Sequence, residues 1–89
     1  MATESQDENI FIRLRKILAR KFKLNEEVIT RNSSLVNDLG VDSIDFWEVV
    51  AKVEEEFDIE VPEDQKPVVN TVQDVVRLIE ERMKIKKVL

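Results

Sequence analysis

Three stretches of this chain place apolar residues at helical spacing. The first is Ile10, Phe11, Leu14, Ile17, Leu18 and Phe22. The second is Phe46, Val49, Val50, Val53 and Phe57, at i, i+3, i+4, i+7 and i+11. The third is Val72, Val75, Val76, Ile79 and Met83. A side chain recurs on the same helix face every three or four residues, so each stretch carries one apolar stripe that must be buried against another element. The pattern predicts an all-α chain, a small bundle of three to four helices with a long loop between the first two.

Local signals set the expected boundaries. Ser5-Gln6-Asp7-Glu8 has the form of a capping box, which predicts a first helix over about 6–22. The second helix is expected over 43–58, starting at Asp42 or Ser43 and stopped before Val61-Pro62. A short helix over 63–69 is expected, limited by Pro67. Thr71-Val72-Gln73-Asp74 is a second cap pattern, and Lys84, Lys86 and Lys87 suit the negative end of a last helix over 72–86. Residues 23–41 have no period. Turn formers interrupt them, and Val28, Ile29, Leu35, Val36 and Leu39 are the residues expected to pin this loop to the core. Connections of this length are more often functional than incidental. Gly40, the only glycine, suggests a backbone position that a side chain would hinder.

At 89 residues the chain is expected to form a single domain, 1–89. A domain of this size buries about 60–65% of its unfolded surface, which leaves little room for a deep catalytic cleft. Hydrophobic residues at 43% and charged residues at 37% fit a folded, soluble domain. His, Cys and Tyr are absent. That excludes a Cys/His zinc site, a Cys or His nucleophile, a Ser-His-Asp triad and disulfides. The first nine residues are polar, and no apolar run approaches the ~20 residues of a membrane span. The expectation is a cytoplasmic protein with no membrane insertion.

Charge is distributed unevenly. Residues 1–23 carry net +3, residues 24–41 net −2, residues 42–64 net −9, and residues 65–89 net +3. A net charge of −5 argues against nucleic acid as a partner. The acidic middle either balances the basic ends within the fold or presents an acidic face that speeds encounter with basic partners.

Asp38-Leu39-Gly40-Val41-Asp42-Ser43-Ile44-Asp45 is the informative segment. It sets a serine where a helix begins, between two aspartates. Unpaired backbone N–H groups and the helix dipole there favour a phosphate group. No histidine or nearby lysine is available to activate the hydroxyl, so any modification of Ser43 requires another enzyme. The local pattern also fits a serine or aspartate that is only a helix cap.

Taken with Val53-Glu54-Glu55-Glu56-Phe57-Asp58, Val61-Pro62-Glu63-Asp64 and Thr71-Val72-Gln73-Asp74, this segment resembles the acyl carrier protein family. The resemblance runs from Ile10 to Met83, and the family's Asp-Ser-Leu attachment motif stands here as Asp42-Ser43-Ile44. It implies that a phosphopantetheinyl transferase moves 4′-phosphopantetheine from coenzyme A onto Ser43, and that the arm's thiol carries acyl groups as thioesters. It implies a shuttle and no enzyme, serving fatty-acid or lipid biosynthesis. The second helix would dock partners. Asp42, Asp45, Glu48, Glu54 and Glu55 would meet basic patches on acyl-transfer and synthesis enzymes, with Ile44, Trp47 and Ala51 on the adjoining apolar face. Phe46, Val49, Val50, Val53, Ile59, Val69, Val72 and Val76 would line an acyl pocket or serve as plain core.

Several positions depart from the family pattern. Phe46 stands where a small polar residue is common, Lys52 interrupts the acidic helix, and the first helix is unusually basic. Asp42-Ser43-Ile44-Asp45-Phe46 is similar to specialised carriers that deliver acyl chains to lipid A, lipopolysaccharide or a secondary pathway. Outside the family, the competing reading is an acidic helical interaction module in which Ser43 is only an N-cap. Asp42, Asp45 and Glu48 share a helix face but lack the ligand spacing of a calcium loop, so no metal site is expected. The apolar stripes suffice for one small core, which predicts a monomer.

Overall fold

The computed structural model describes the backbone of residues 2–61 and 69–87 and the side chains of residues 6–61 and 69–84. Three α-helices appear in order: α1 (Ala2–Phe22), α2 (Ser43–Phe57) and α3 (Val72–Lys87). The described residues contain no β-strand, only an isolated antiparallel bridge between Ser34 and Thr71. The expected all-helical bundle is what the chain forms. The short helix expected over 63–69, with Pro67, falls almost wholly outside the described residues.

The stripes read from periodicity form the core. Ile10, Leu14 and Leu18 from α1 meet Val49, Val53 and Phe57 from α2 and Val72, Val75, Val76 and Ile79 from α3. Leu14, Val72, Val76 and Ile79 are completely buried. α1 packs against both other helices, and α2 packs against α3. Burial of a Leu, Ile or Val side chain contributes about 1.5–3 kcal/mol, so these contacts are the main support of the bundle.

α1 begins at Ala2, earlier than the expected position 6, and the Ser5–Glu8 pattern lies inside the helix. No Gly or Pro interrupts residues 2–9, and acidic residues in the first turns suit the positive end of the helix dipole. The capping pattern at Thr71 holds. The Asp74 amide donates to Thr71 Oγ1 (3.3 Å), while the Thr71 and Asn70 amides donate to Asp74 Oδ2 (3.1 and 2.9 Å). The Asn70 contact is the main reason the Asp74 carboxyl lies below the usual carboxylate range, with the Thr71 amide next.

Two helix ends use left-handed residues that are not glycine. Lys23 (φ 56°) follows α1, and Asp58 (φ 56°) follows α2. In each case the next amide reaches back five residues: Leu24 N–H to the Ala19 carbonyl (2.9 Å) and Ile59 N–H to the Glu54 carbonyl (3.2 Å). This is the Schellman arrangement, and the apolar residue after the turn is drawn toward the core. The last turn of α2 contains no basic residue to offset its dipole. Arg13 of α1 supplies one across the interface. Its guanidinium donates to the Glu56 carboxylate (2.7 Å) and to the Glu56 backbone carbonyl (2.8 Å), and it lies over the Phe57 ring.

The long loop is ordered by short-range caps and by docking on α3. It contains one 3-10 turn, Glu26–Val28, capped by Asn25. Backbone bonds then tie it to the start of α3: Leu35 N–H to Asn70 O (2.9 Å), Val72 N–H to Ser33 O (3.0 Å) and Gln73 N–H to Arg31 O (2.9 Å). Arg31 adds a clamp, reaching Asp7 of α1 (2.6 Å) and Gln73 of α3 (2.7 Å) while lying over the Phe11 ring. Ile29, Leu35 and Leu39 are buried as expected, and Val41 is buried as well. Val28 and Val36 do not pin the loop; they are 57% and 67% exposed. The expectation at Gly40 also changes. An added Cβ would meet nothing within 4 Å, so space is not the constraint. The constraint is φ of +72°, which other L-residues adopt at a cost.

Candidate functional site

The loop delivers the chain to α2 at Asp42. Val41 is buried and its amide donates to the Leu35 carbonyl (2.9 Å), which sets Asp42 at the surface. Asp42 is the N-cap of α2. Its Oδ1 accepts from the Asp45 amide at 2.7 Å, and Asp45 Oδ2 accepts from the Asp42 amide at 3.4 Å. The two aspartates form a reciprocal capping box.

Ser43 is therefore not the cap. It is the first residue of α2 and is exposed. Among the described residues its hydroxyl makes no hydrogen bond. The helix start presents a hydroxyl on a rigid element, with the helix dipole favouring an attached anion beside it. A phosphate ester on Ser43 fits this position on three counts: the oxygen is accessible, it is not needed for capping, and the local field favours negative charge. The flanking aspartates oppose that field in part.

The remaining expected residues divide by environment. Ile44 is 72% exposed beside Ser43. Trp47 is half-buried, its ring edge-on to Phe46 at 5.3 Å, so it is not the open surface residue that its face suggests. Ala51 and Glu55 are exposed. Glu48 is exposed but already pairs with Lys21 of α1, whose side chain is only 23% exposed. The Glu48 contact raises the Lys21 amine above its ordinary value, and Asp45 and Asp42 add to the shift. Glu54 is turned to the fold, accepting the Val61 amide at 2.8 Å. Lys21 is the residue that reading the sequence missed. Its place opposite Glu48 depends on how α1 and α2 are packed, and no local pattern reports that register.

Val49, Val53, Ile59, Val72 and Val76 belong to the core, with Phe46 and Val69 packed against it, and Val50 is buried too. The expected pocket residues thus line the contacts among α2, α3 and the segments beside them. No helix among the described residues is long and apolar enough to cross a membrane.

Comparison with known proteins gives this arrangement a context. A family model described as "Phosphopantetheine attachment site" matches residues 13–79. A protein named acyl carrier protein from Phenylobacterium zucineum (strain HLK1) is 41% identical over 75 residues, covering 84% of this chain and 95% of its own. One of the same name from Caulobacter vibrioides (strain NA1000 / CB15N) is 42% identical over 74 residues, covering 83% and 95%. A third, from Clostridium perfringens (strain SM101 / Type A), is 40% identical over 72 residues, covering 81% and 95%.

The chain belongs to the acyl carrier protein family. It is a carrier and not an enzyme, and 4′-phosphopantetheine is the prosthetic group of this domain. The group supplies a terminal thiol for acyl groups, which the cysteine-free chain cannot provide itself. As for other acyl carrier proteins, its partners are a phosphopantetheinyl transferase and biosynthetic enzymes.

Proposed function

We propose that Ser43 is the attachment residue of this acyl carrier, and that the outward face of α2 presents the loaded arm to enzymes of fatty-acid or lipid biosynthesis. The observation that carries this reading is the division of labour at the helix start. Asp42 and Asp45 satisfy the cap, and the adjacent Ser43 hydroxyl is left exposed. A serine retained only for capping would sit at Asp42's position and accept an amide hydrogen bond.

Asp42, Asp45, Glu48 and Glu55 then form an acidic surface around Ser43 and along α2, with Ile44 as its exposed apolar point. Basic partners are drawn by the field and released readily, because exposed ion pairs are weak and salt-screened. Glu54 contributes less to that surface, since it accepts the Val61 amide. The core residues between α2 and α3 serve as the acyl-chain pocket when the helices part. The chain acts as one carrier domain, as a monomer and in the cytoplasm.

Intact-mass spectrometry tests the attachment residue. The protein is incubated with a promiscuous phosphopantetheinyl transferase, magnesium and coenzyme A, beside Ser43→Ala. A gain of one phosphopantetheine in the wild type alone is expected. The same gain in Ser43→Ala would move the site elsewhere.

A further inference from the structure

α1 and α2 enclose a surface groove of about 900 Å³. Its walls bring together Arg13, Lys16, Arg20 and Lys21 from α1 and Lys52 from α2. Two of these cations are occupied: Arg13 by Glu56, and Lys21 by Glu48. Lys16, Arg20 and Lys52 have no ion-pair partner among the described residues. Ile17 lies between them, half-buried against the core. Glu55 and Glu56, one turn on from Lys52 in α2, also line it.

Gathering unpaired cations in one groove is not what stability asks of an acidic chain. Like charges held close repel, and an acidic residue at 16 or 20 would have relieved that repulsion. The groove adjoins the acidic surface of α2 through Glu55 and the Lys21–Glu48 pair, and it is opposite to that surface in net sign.

We infer that the α1–α2 groove is a second docking surface, built to receive an acidic amphipathic segment of a partner protein. Its carboxylates pair with Lys16, Arg20 and Lys52, and an apolar side chain covers Ile17. Charge complementarity selects an anionic occupant. The exposure of the cations selects an extended one, since each exposed ion pair is weak and a small anion touching one or two would not stay. Concavity favours a protruding segment over a flat lipid surface, which could not reach both walls together. The groove does not include Ser43, so a segment seated in it leaves the Ser43 hydroxyl open to another enzyme.

The test uses the unmodified full chain, so its result does not depend on Ser43. The ¹⁵N-labelled protein is titrated at physiological salt with a short synthetic peptide rich in Glu, with Leu at helical spacing. Amide shifts are expected at Lys16, Ile17, Arg20 and Lys52. The combined variant Lys16→Gln, Arg20→Gln, Lys52→Gln should bind roughly tenfold more weakly, the loss of three exposed ion pairs. It should also keep the wild-type melting temperature, because it breaks no ion pair of the fold. Ile17→Ser should weaken binding as well, whereas Lys23→Gln and Lys84→Gln should not. The inference is overturned by an absence of shifts, by equal losses from basic residues outside the groove, or by preference for vesicles of phosphatidylglycerol over the peptide. Groove shifts that appear when the protein alone is concentrated would also overturn it, by making a second copy the occupant.

Discussion

Lys21 of α1 and Glu48 of α2 are joined by an ion pair across the helix interface, next to the aspartates that cap α2. A cation of the chain itself therefore occupies one of the acidic residues that a basic partner would meet. The partner must displace Lys21 or approach around it.

Removing that internal competitor should strengthen docking. Lys21→Gln is expected to lower the KM of a phosphopantetheinyl transferase for this carrier by about two- to fivefold at low salt, the range of one exposed ion pair. The difference should fade at high salt, where such pairs are screened. The measurement is steady-state transfer at both ionic strengths. An unchanged or raised KM at low salt would show that Lys21 is not in the partner's path.

Asp42 and Ser43 should separate cleanly in stability. Asp42→Ala removes the acceptor for the Asp45 amide and should cost about 1 kcal/mol, with a range of about 0.5–2. For a domain of this length that lowers Tm by roughly 4–8 °C. Ser43→Ala should stay within about 0.5 kcal/mol of the wild type, because it removes no bond of the fold. Paired thermal melts decide this, and a large loss in Ser43→Ala would restore the capping role.

Phe46 packs against the core from the first turn of α2, edge-on to Trp47. A ring there narrows the space an acyl chain would enter. Phe46→Ala is expected to widen the range of chain lengths sheltered by the carrier. Hydrolysis rates of carriers loaded with short, medium and long acyl groups measure that shelter. Equal protection in wild type and variant at every length would remove Phe46 from the pocket.

Asp74 ties stability to acid. Its carboxylate is favoured by the Asn70 and Thr71 amides, so its folded pKa lies below the ordinary value. The linked stabilisation is present above the unfolded value of about 4 and is lost as pH falls through the lower folded value. Asp74→Ala should melt lower than the wild type at neutral pH, with the gap closing in strong acid. A gap that stays constant across the titration would assign the loss to something other than this carboxylate.

Much of the fold was legible because helices impose a period. A residue's face follows from its number, so Leu14, Val53 and Ile79 could be assigned to the core before any contact was known. Caps follow local chemistry, and Thr71–Asp74 behaves as its pattern indicates. The Ser5 pattern misled because Ser-x-x-Glu is only a sequence pattern, and it can lie within a helix when nothing upstream breaks the helix. The loop had no period, and there the assignment of Val28 and Val36 failed while that of Ile29 and Leu35 held. In the candidate site, the motif singled out Ser43 as a serine at a helix start, but which neighbouring acids are available could not be read from spacing alone.

The sequence by itself determined the three helices, the acidic middle, a serine at the start of the second helix and the absence of Cys and His chemistry. Periodicity, capping and composition act over a few residues, and each is complete within its own segment. Only the tertiary structure decided that Lys21 faces Glu48, that Arg13 caps the end of α2, that Glu54 is turned to Val61, and that Lys16, Arg20 and Lys52 share one groove. Those pairings join residues far apart in the chain. They depend on the rotation and register of one packed helix against another, which the shapes of the buried side chains set together and no single segment encodes.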